Sequence, residues 1–174
     1  MKKIILPALL IFYSSFLPAQ SKNAGTDKHS MKEHVKNKDT PHHPRVFDET
    51  QAIKAVLKEY NTAIEKLDAA GTDKLFTNDS KIFESGGSEG NYKNYLEHHL
   101  NPELKEFTSF KFSDYRADVQ VDGIYAFATE RYFYTIIVAK DKSEVKRKGV
   151  ATSVLKKVSG EWKIMISHNS SRKG

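Results

Sequence analysis

Residues 106–137 read EFTSFKFSDYRADVQVDGIYAFATERYFYTII, and two features of this run decide the fold. Phe, Tyr, Val, Ile and Thr alternate with polar or small residues at period two, the pattern of strands whose successive side chains point to opposite faces. Asp122-Gly123 interrupts the run with a hairpin signal. The alternation resumes twice, in EVKRKGVATSVLKK (144–157) and EWKIMISHNSS (161–171). Lys140–Ser143 and Ser159-Gly160 mark the two further reversals. The C-terminal half is therefore expected to be an antiparallel meander with strands near 106–119, 123–137, 144–157 and 161–171.

Working back toward the N-terminus, the period changes to that of helices. Ile53, Val56, Leu57, Tyr60, Ala63, Ile64 and Leu67 recur at three- and four-residue steps behind a capping sequence Asp48-Glu49-Thr50-Gln51, which predicts one long amphipathic helix. Ala69-Ala70-Gly71-Thr72 ends it and opens a short second helix through Leu75 and Phe76. Asn78-Asp79 turns into a strand over Lys81–Ser85. Ser85–Gly90 (SGGSEG) reads as a mobile turn; without G-x-x-x-x-G-K spacing it is not a phosphate loop. A third helix is expected over Asn91–Leu100, with Tyr92, Tyr95, Leu96 and His99 on one face and Asn101-Pro102 as its stop. Helices followed by a run of strands make an α+β chain.

The flanks differ in kind from this body. Lys2-Lys3, the apolar run Ile4–Leu17 and Pro18-Ala19-Gln20 have the three parts of a secretory signal peptide, so 1–19 is expected to be removed on export. The apolar run is shorter than the ~20 residues a bilayer requires. Residues 20–45 are Lys-, Asp-, Asn-, Ser- and His-rich and cannot bury enough apolar surface to fold. They are expected to be a disordered linker, leaving 46–174 as the single domain. Four of the seven histidines (His29, His34, His42, His43) lie in this linker.

Charge and cysteine usage remove several function classes. The net charge of +6 comes mostly from the flanks: residues 46–174 hold 20 basic and 19 acidic side chains. A nucleic-acid-binding surface needs its basic excess on the folded body, so no nucleic-acid partner is expected. The chain has no cysteine, which excludes disulfides, thiolate metal sites and cysteine nucleophiles.

The Phe83-Glu84-Ser85-Gly86-Gly87 turn, the His99-Leu100 helix end before Pro102-Glu103-Leu104, and a terminal strand with Trp162 and His168-x-Ser170 resemble the nuclear transport factor 2-like superfamily in its SnoaL-like bacterial branch. The resemblance covers roughly 48–172. Related chains often read Asp-His-x-Ser near the end, whereas Ser167 precedes His168 here. The resemblance implies three helices packed in the concave face of a strongly curved, mainly antiparallel sheet, a cone-shaped cystatin-like pocket, and commonly a homodimer with facing sheets. Superfamily members include isomerases, cyclases and hydrolases as well as binding modules, so function has to be argued from the site.

The candidate pocket residues are Glu84, Tyr95, His99, Glu130, Trp162, His168 and Ser170. Strict alternation on the last strand puts Trp162, Ile164, Ile166, His168 and Ser170 on one face, which makes His168 an acid, base or ligand candidate at the cavity edge; a core histidine held by a carbonyl or tyrosine is the alternative. His99 shares the inward stripe of the third helix with Tyr95. Glu84 stands at the mouth of the glycine turn. Glu130 interrupts an apolar strand and is either exposed on the outer face, the somewhat favoured reading, or buried with a partner. No H-x-x-x-H or H-E-x-x-H element supports a metal, no G-x-S-x-G supports a serine hydrolase, and no cofactor is expected.

The first functional expectation is an exported, periplasmic or secreted, binding module for a small hydrophobic or amphipathic molecule, without a membrane span once the signal is removed. The second is a lyase, isomerase or hydrolase acting through a His/Glu pair. The third is a metal-binding stress accessory protein.

Overall fold

The computed structural model describes residues 44–174; the signal peptide and nearly all of the linker expected from the sequence lie outside the described residues. Helix α1 (Pro44–Glu65) buries Ile53, Leu57 and Ile64, the stripe expected from its spacing. It starts earlier than expected, so Asp48 falls inside it rather than capping it. No helix among the described residues is long and apolar enough to cross a membrane.

The expected second helix is a single 3-10 turn, Thr72–Leu75. Gly71 supports it from the left-handed region (φ 74°), where a side chain would be strained. Strand β1 (Phe76–Glu84) follows, longer than the Lys81–Ser85 expected, and β2 (Gly87–Gly90) folds back on it. The glycine-rich stretch is thus a built hairpin and not a mobile turn. Ser85 (φ 48°) and Gly86 (φ 90°) form its two-residue loop, the double positive φ that matches the twist of paired strands.

Three short turns then run on without a break: α2 (Tyr92–Tyr95), a π-helical turn Leu96–Leu100, and α3 (Asn101–Leu104). Asn91 caps the first by accepting from the Asn94 N–H. Pro102 does not stop the segment as expected. The Asn101 N–H reaches back to Leu96 across the wider π turn, which leaves Pro102 in the first turn of α3, where a missing N–H costs nothing.

The meander follows as β3 (Phe107–Asp122), β4 (Tyr125–Val138), β5 (Glu144–Val158) and β6 (Glu161–Lys173). All six strands form one sheet in the order β2-β1-β6-β5-β4-β3. Every pairing is antiparallel except β1 with β6. Helix α1 and the 92–104 segment pack on the concave face, with Ile53, Leu57, Tyr92, Ala126, Leu155, Trp162 and Ile164 among the buried core. This is the curved α+β cone.

Two register shifts decide which side chains face that concave side. In β3, Ser113 pairs Phe133 and Arg116 pairs Arg131, so Asp114 and Tyr115 together oppose Tyr132 alone. This is a β-bulge, with Asp114 at φ 50°. In β6, Ile164 pairs Leu155 and Ile166 pairs Val154, which leaves Met165 as an extra residue. Each bulge inverts the inward and outward parity of the residues beyond it.

Candidate functional site

A cavity of about 130 Å³ opens on the concave face, between α1, the 92–104 segment and strands β3 to β6. Its apolar lining comes from Leu57 and Ile64 of α1, Leu100 and Leu104 of the second helical segment, and Phe107, Phe110, Phe112, Ile136 and Ile164 of the sheet. Tyr60, Tyr95, Tyr132 and Tyr134 add rings with a polar end, and Ser153, Ser167, Asn169, Ser170 and Ser171 bring small polar groups from β5 and β6.

Glu130 is the most enclosed acid in this lining, only 6% exposed. It lies on β4 opposite Ala117 and Ala151, so it faces inward, and the lean toward outer-face exposure is corrected. Asn61 Nδ2 donates to Glu130 Oε2 at 3.0 Å and the Tyr115 hydroxyl donates to the same oxygen at 2.6 Å. Both donors meet Oε2, so Oε1 keeps its acceptor capacity in a residue that lines the cavity. Burial pushes the Glu130 carboxyl above its ordinary value, and the Tyr115 and Asn61 hydrogen bonds pull it partly back. Burial and the adjacent Glu130 together push the Tyr115 phenol far up.

A second acidic group surrounds the 92–104 segment. The buried Tyr95 hydroxyl donates to Glu84 Oε2 at 3.1 Å. His99 stacks on Tyr95 with ring centroids 5.1 Å apart. Its Nε2 lies 3.5 Å from Glu84 and 3.7 Å from Glu103, and its Nδ1 lies 3.4 Å from Glu89. The protein packed around Glu103 raises its carboxyl, Glu84 raises it further, and His99 acts in the opposite direction. Burial, more than any neighbouring charge, drives the Tyr95 phenol well above its usual range.

Of the residues singled out from the sequence, Glu84, Tyr95, Glu130 and Ser170 line this cavity. His99 touches Glu84 and Glu103 without being part of the lining. Trp162 is buried elsewhere, at the closed end, where its Nε1–H and Lys157 Nζ both donate to Glu49. His168 is exposed and pairs with Phe83 and Thr152 across the sheet. The Met165 bulge turns Ser167 and Asn169 inward and leaves His168 on the convex face, so His168 and His99 do not share a cavity.

Asn61, Tyr115 and the cavity-lining Tyr60, Tyr132 and Tyr134 are not among the candidates expected from the sequence. Asn61 had a signal, being a polar residue four after Leu57 and three before Ile64 on an otherwise apolar stripe. Tyr115 had none, because its position depends on the bulge. Among the described residues, no group of three or more His, Asp and Glu is arranged to hold a metal ion.

The family model of the SnoaL-like domain matches residues 53–172. The chain belongs to the SnoaL-like domain family. Its fold is that of the nuclear transport factor 2-like superfamily, as solved structures show. One is a superfamily protein from Salmonella enterica serovar Typhimurium (TM-score 0.67, 19% identity, 74% of this chain and 94% of that one covered). Others are a ketosteroid isomerase-like protein from Erwinia carotovora (TM-score 0.63, 18% identity, 73% and 98% covered) and a type 2 hexachlorocyclohexane dehydrochlorinase (TM-score 0.63, 12% identity, 73% and 87% covered). At these identities the likeness of this SnoaL-like chain to them is one of fold. A comparison with curated protein sequences finds no match.

Proposed function

We propose that this SnoaL-like chain is an exported binding module for one small, largely apolar molecule bearing a polar group. The observation that carries the reading is the cavity of about 130 Å³ with aromatic walls and a buried carboxylate, Glu130, whose Oε1 has no donor among the described residues. An engineered apolar cavity of roughly 150 Å³ accepts a benzene ring, which sets the ligand near single-ring size. Extraction and mass spectrometry of protein purified from its native host tests this. A small molecule should copurify with the parent chain and be lost in Ala151→Leu, which fills the cavity opposite Glu130. A parent chain that carries nothing above background speaks against the reading.

A second reading is favoured by one observation. A buried carboxyl raised above its ordinary value, with one free oxygen, is suited to taking a proton from a bound substrate near neutral pH. Deuterium exchange into a C–H of the copurified molecule, lost in Glu130→Gln, would establish turnover over simple binding.

Export and pairing complete the proposal. The tripartite segment 1–19 supports secretion, and N-terminal sequencing of protein from the periplasm or medium should begin at Gln20 or Ser21. A homodimer through the convex sheet face is supported by its exposed Phe127 (51%), Phe133 and Val150, a cluster of the kind that marks interfaces. Sedimentation should give twice the chain mass.

A further inference from the structure

The cavity is one-sided in charge, whereas the domain that forms it is nearly balanced. Among the described residues its lining contains Glu84, Glu103 and Glu130 and no Lys, Arg or His, although residues 46–174 carry 20 basic side chains against 19 acidic ones. A lining drawn evenly from this sequence would include cations. Instead the cations of the meander are placed elsewhere: Arg131 pairs Asp118 on the outer face, and Lys148 and Lys156 lie over the exposed Phe133 and Tyr125 rings.

The other half of the lining is aromatic. Phe110 and Tyr134 are stacked with centroids 5.1 Å apart, and Phe112 meets Tyr132 edge-on at 5.0 Å. Tyr60 and Tyr95 add rings from the helical side. Aromatic faces carry partial negative charge and attract cations, most strongly where water is excluded. Carboxylates and ring faces therefore act on a guest in the same sense. An anion would meet the buried Glu130, which has no cation beside it in the lining, a costly placement at low dielectric. A neutral hydrocarbon would leave Glu130 Oε1 facing it unmatched.

Resting on the small-ligand reading above, we propose that the cavity takes an organic cation of single-ring size, an amine or quaternary ammonium. Its charged nitrogen sits against Glu130 and its hydrocarbon body lies among the rings of β3 and β4. Asn61 and Tyr115 hold Oε2 and so leave Oε1 to the guest. Glu84 and Glu103, the more exposed acids of the lining beside His99, draw the cation in.

The test uses three probes with one ring and three charges: benzylammonium, benzyl alcohol and benzoate, titrated into the full chain at neutral pH by calorimetry. Benzylammonium should bind about tenfold more tightly than the alcohol, and benzoate should bind weakest. Glu130→Gln should bring benzylammonium close to the alcohol measured on the same variant. If that variant does not fold, Glu84→Gln must lower the same ratio. Alcohol or benzoate binding as tightly as the cation overturns the proposal and leaves the small-ligand reading standing. Failure of all three at millimolar concentration also overturns it, and the small-ligand reading then rests on the copurification result alone.

Discussion

In the first half of β6, Trp162 is buried in the core outside the cavity lining, Ile164 is buried in the core and also forms part of the cavity wall, and the Trp162 indole N–H is held by Glu49. Three residues further on, Ser167 and Asn169 open onto the cavity and His168 points to solvent. The two halves differ by a single inserted residue, Met165, and by what they pack against. The first half closes the cone with apolar bulk and an ion pair in which Lys157, then Trp162, holds the Glu49 carboxyl below its ordinary value. The second half has small polar groups and leaves room. One strand thus builds both the stable end of the molecule and the end where a guest fits, and the two should respond differently to substitution.

The largest effect is expected at the closed end. Trp162→Ala should cost about 3–5 kcal/mol in chemical denaturation, the range for removing a packed aromatic side chain. A loss near that of a surface residue would mean that the closed end is not the stable one.

Gly149 sharpens the boundary, because it lies beside the cavity yet tolerates no side chain. A Cβ there would overlap the Tyr132 ring, which crosses the β5 backbone at the Tyr132–Gly149 pair. Gly149→Ala should cost about 1–3 kcal/mol, as overpacking does, and should weaken ligand uptake by displacing that ring. Unchanged stability together with unchanged uptake would show that the ring has somewhere else to go.

At the open end the effect is one of pH. Burial raises Glu130 above 4.5 in the folded chain, so the folded state holds this proton more tightly than the unfolded one. The stabilisation from the protonated form is complete below pH 4.5 and is lost as pH rises through the folded pKa. Urea denaturation should show the parent losing stability relative to Glu130→Gln between pH 4.5 and neutrality. A parallel course of the two curves would contradict the burial of an ionisable group there. The smallest effect belongs to His168→Ala. As an exposed convex-face residue it should change stability by less than ~0.5 kcal/mol and leave ligand uptake intact.

Where periodicity ran unbroken, the sequence was legible. The α1 stripe, the strand meander and the hairpin at Ser159-Gly160 lie where spacing and turn chemistry put them, and Glu84 and Tyr95 line the cavity. Where one extra residue enters a strand, alternation misleads, because every side chain beyond the insertion changes face. His168 was read inward for that reason. Tyr115, the donor nearest Glu130, was invisible for the same reason. Glu130 itself was ambiguous because both faces of β4 are apolar: Ala126 and Ala128 are buried inside, while Phe127 and Phe133 are exposed outside. Pro102 misled in another way, since a π turn ahead of it allows the helix to continue.

The cavity is set apart by a carboxylate held in its wall by two donors on one oxygen, and the carboxyl carbon of Glu130 reports on it directly. A 13C NMR titration of the labelled side chain should give a midpoint above 4.5. The midpoint should rise further in Tyr115→Phe, because that hydroxyl stabilises the charged form. A midpoint at or below 4.5 that does not respond to Tyr115→Phe would place Glu130 in water and contradict the cavity as described.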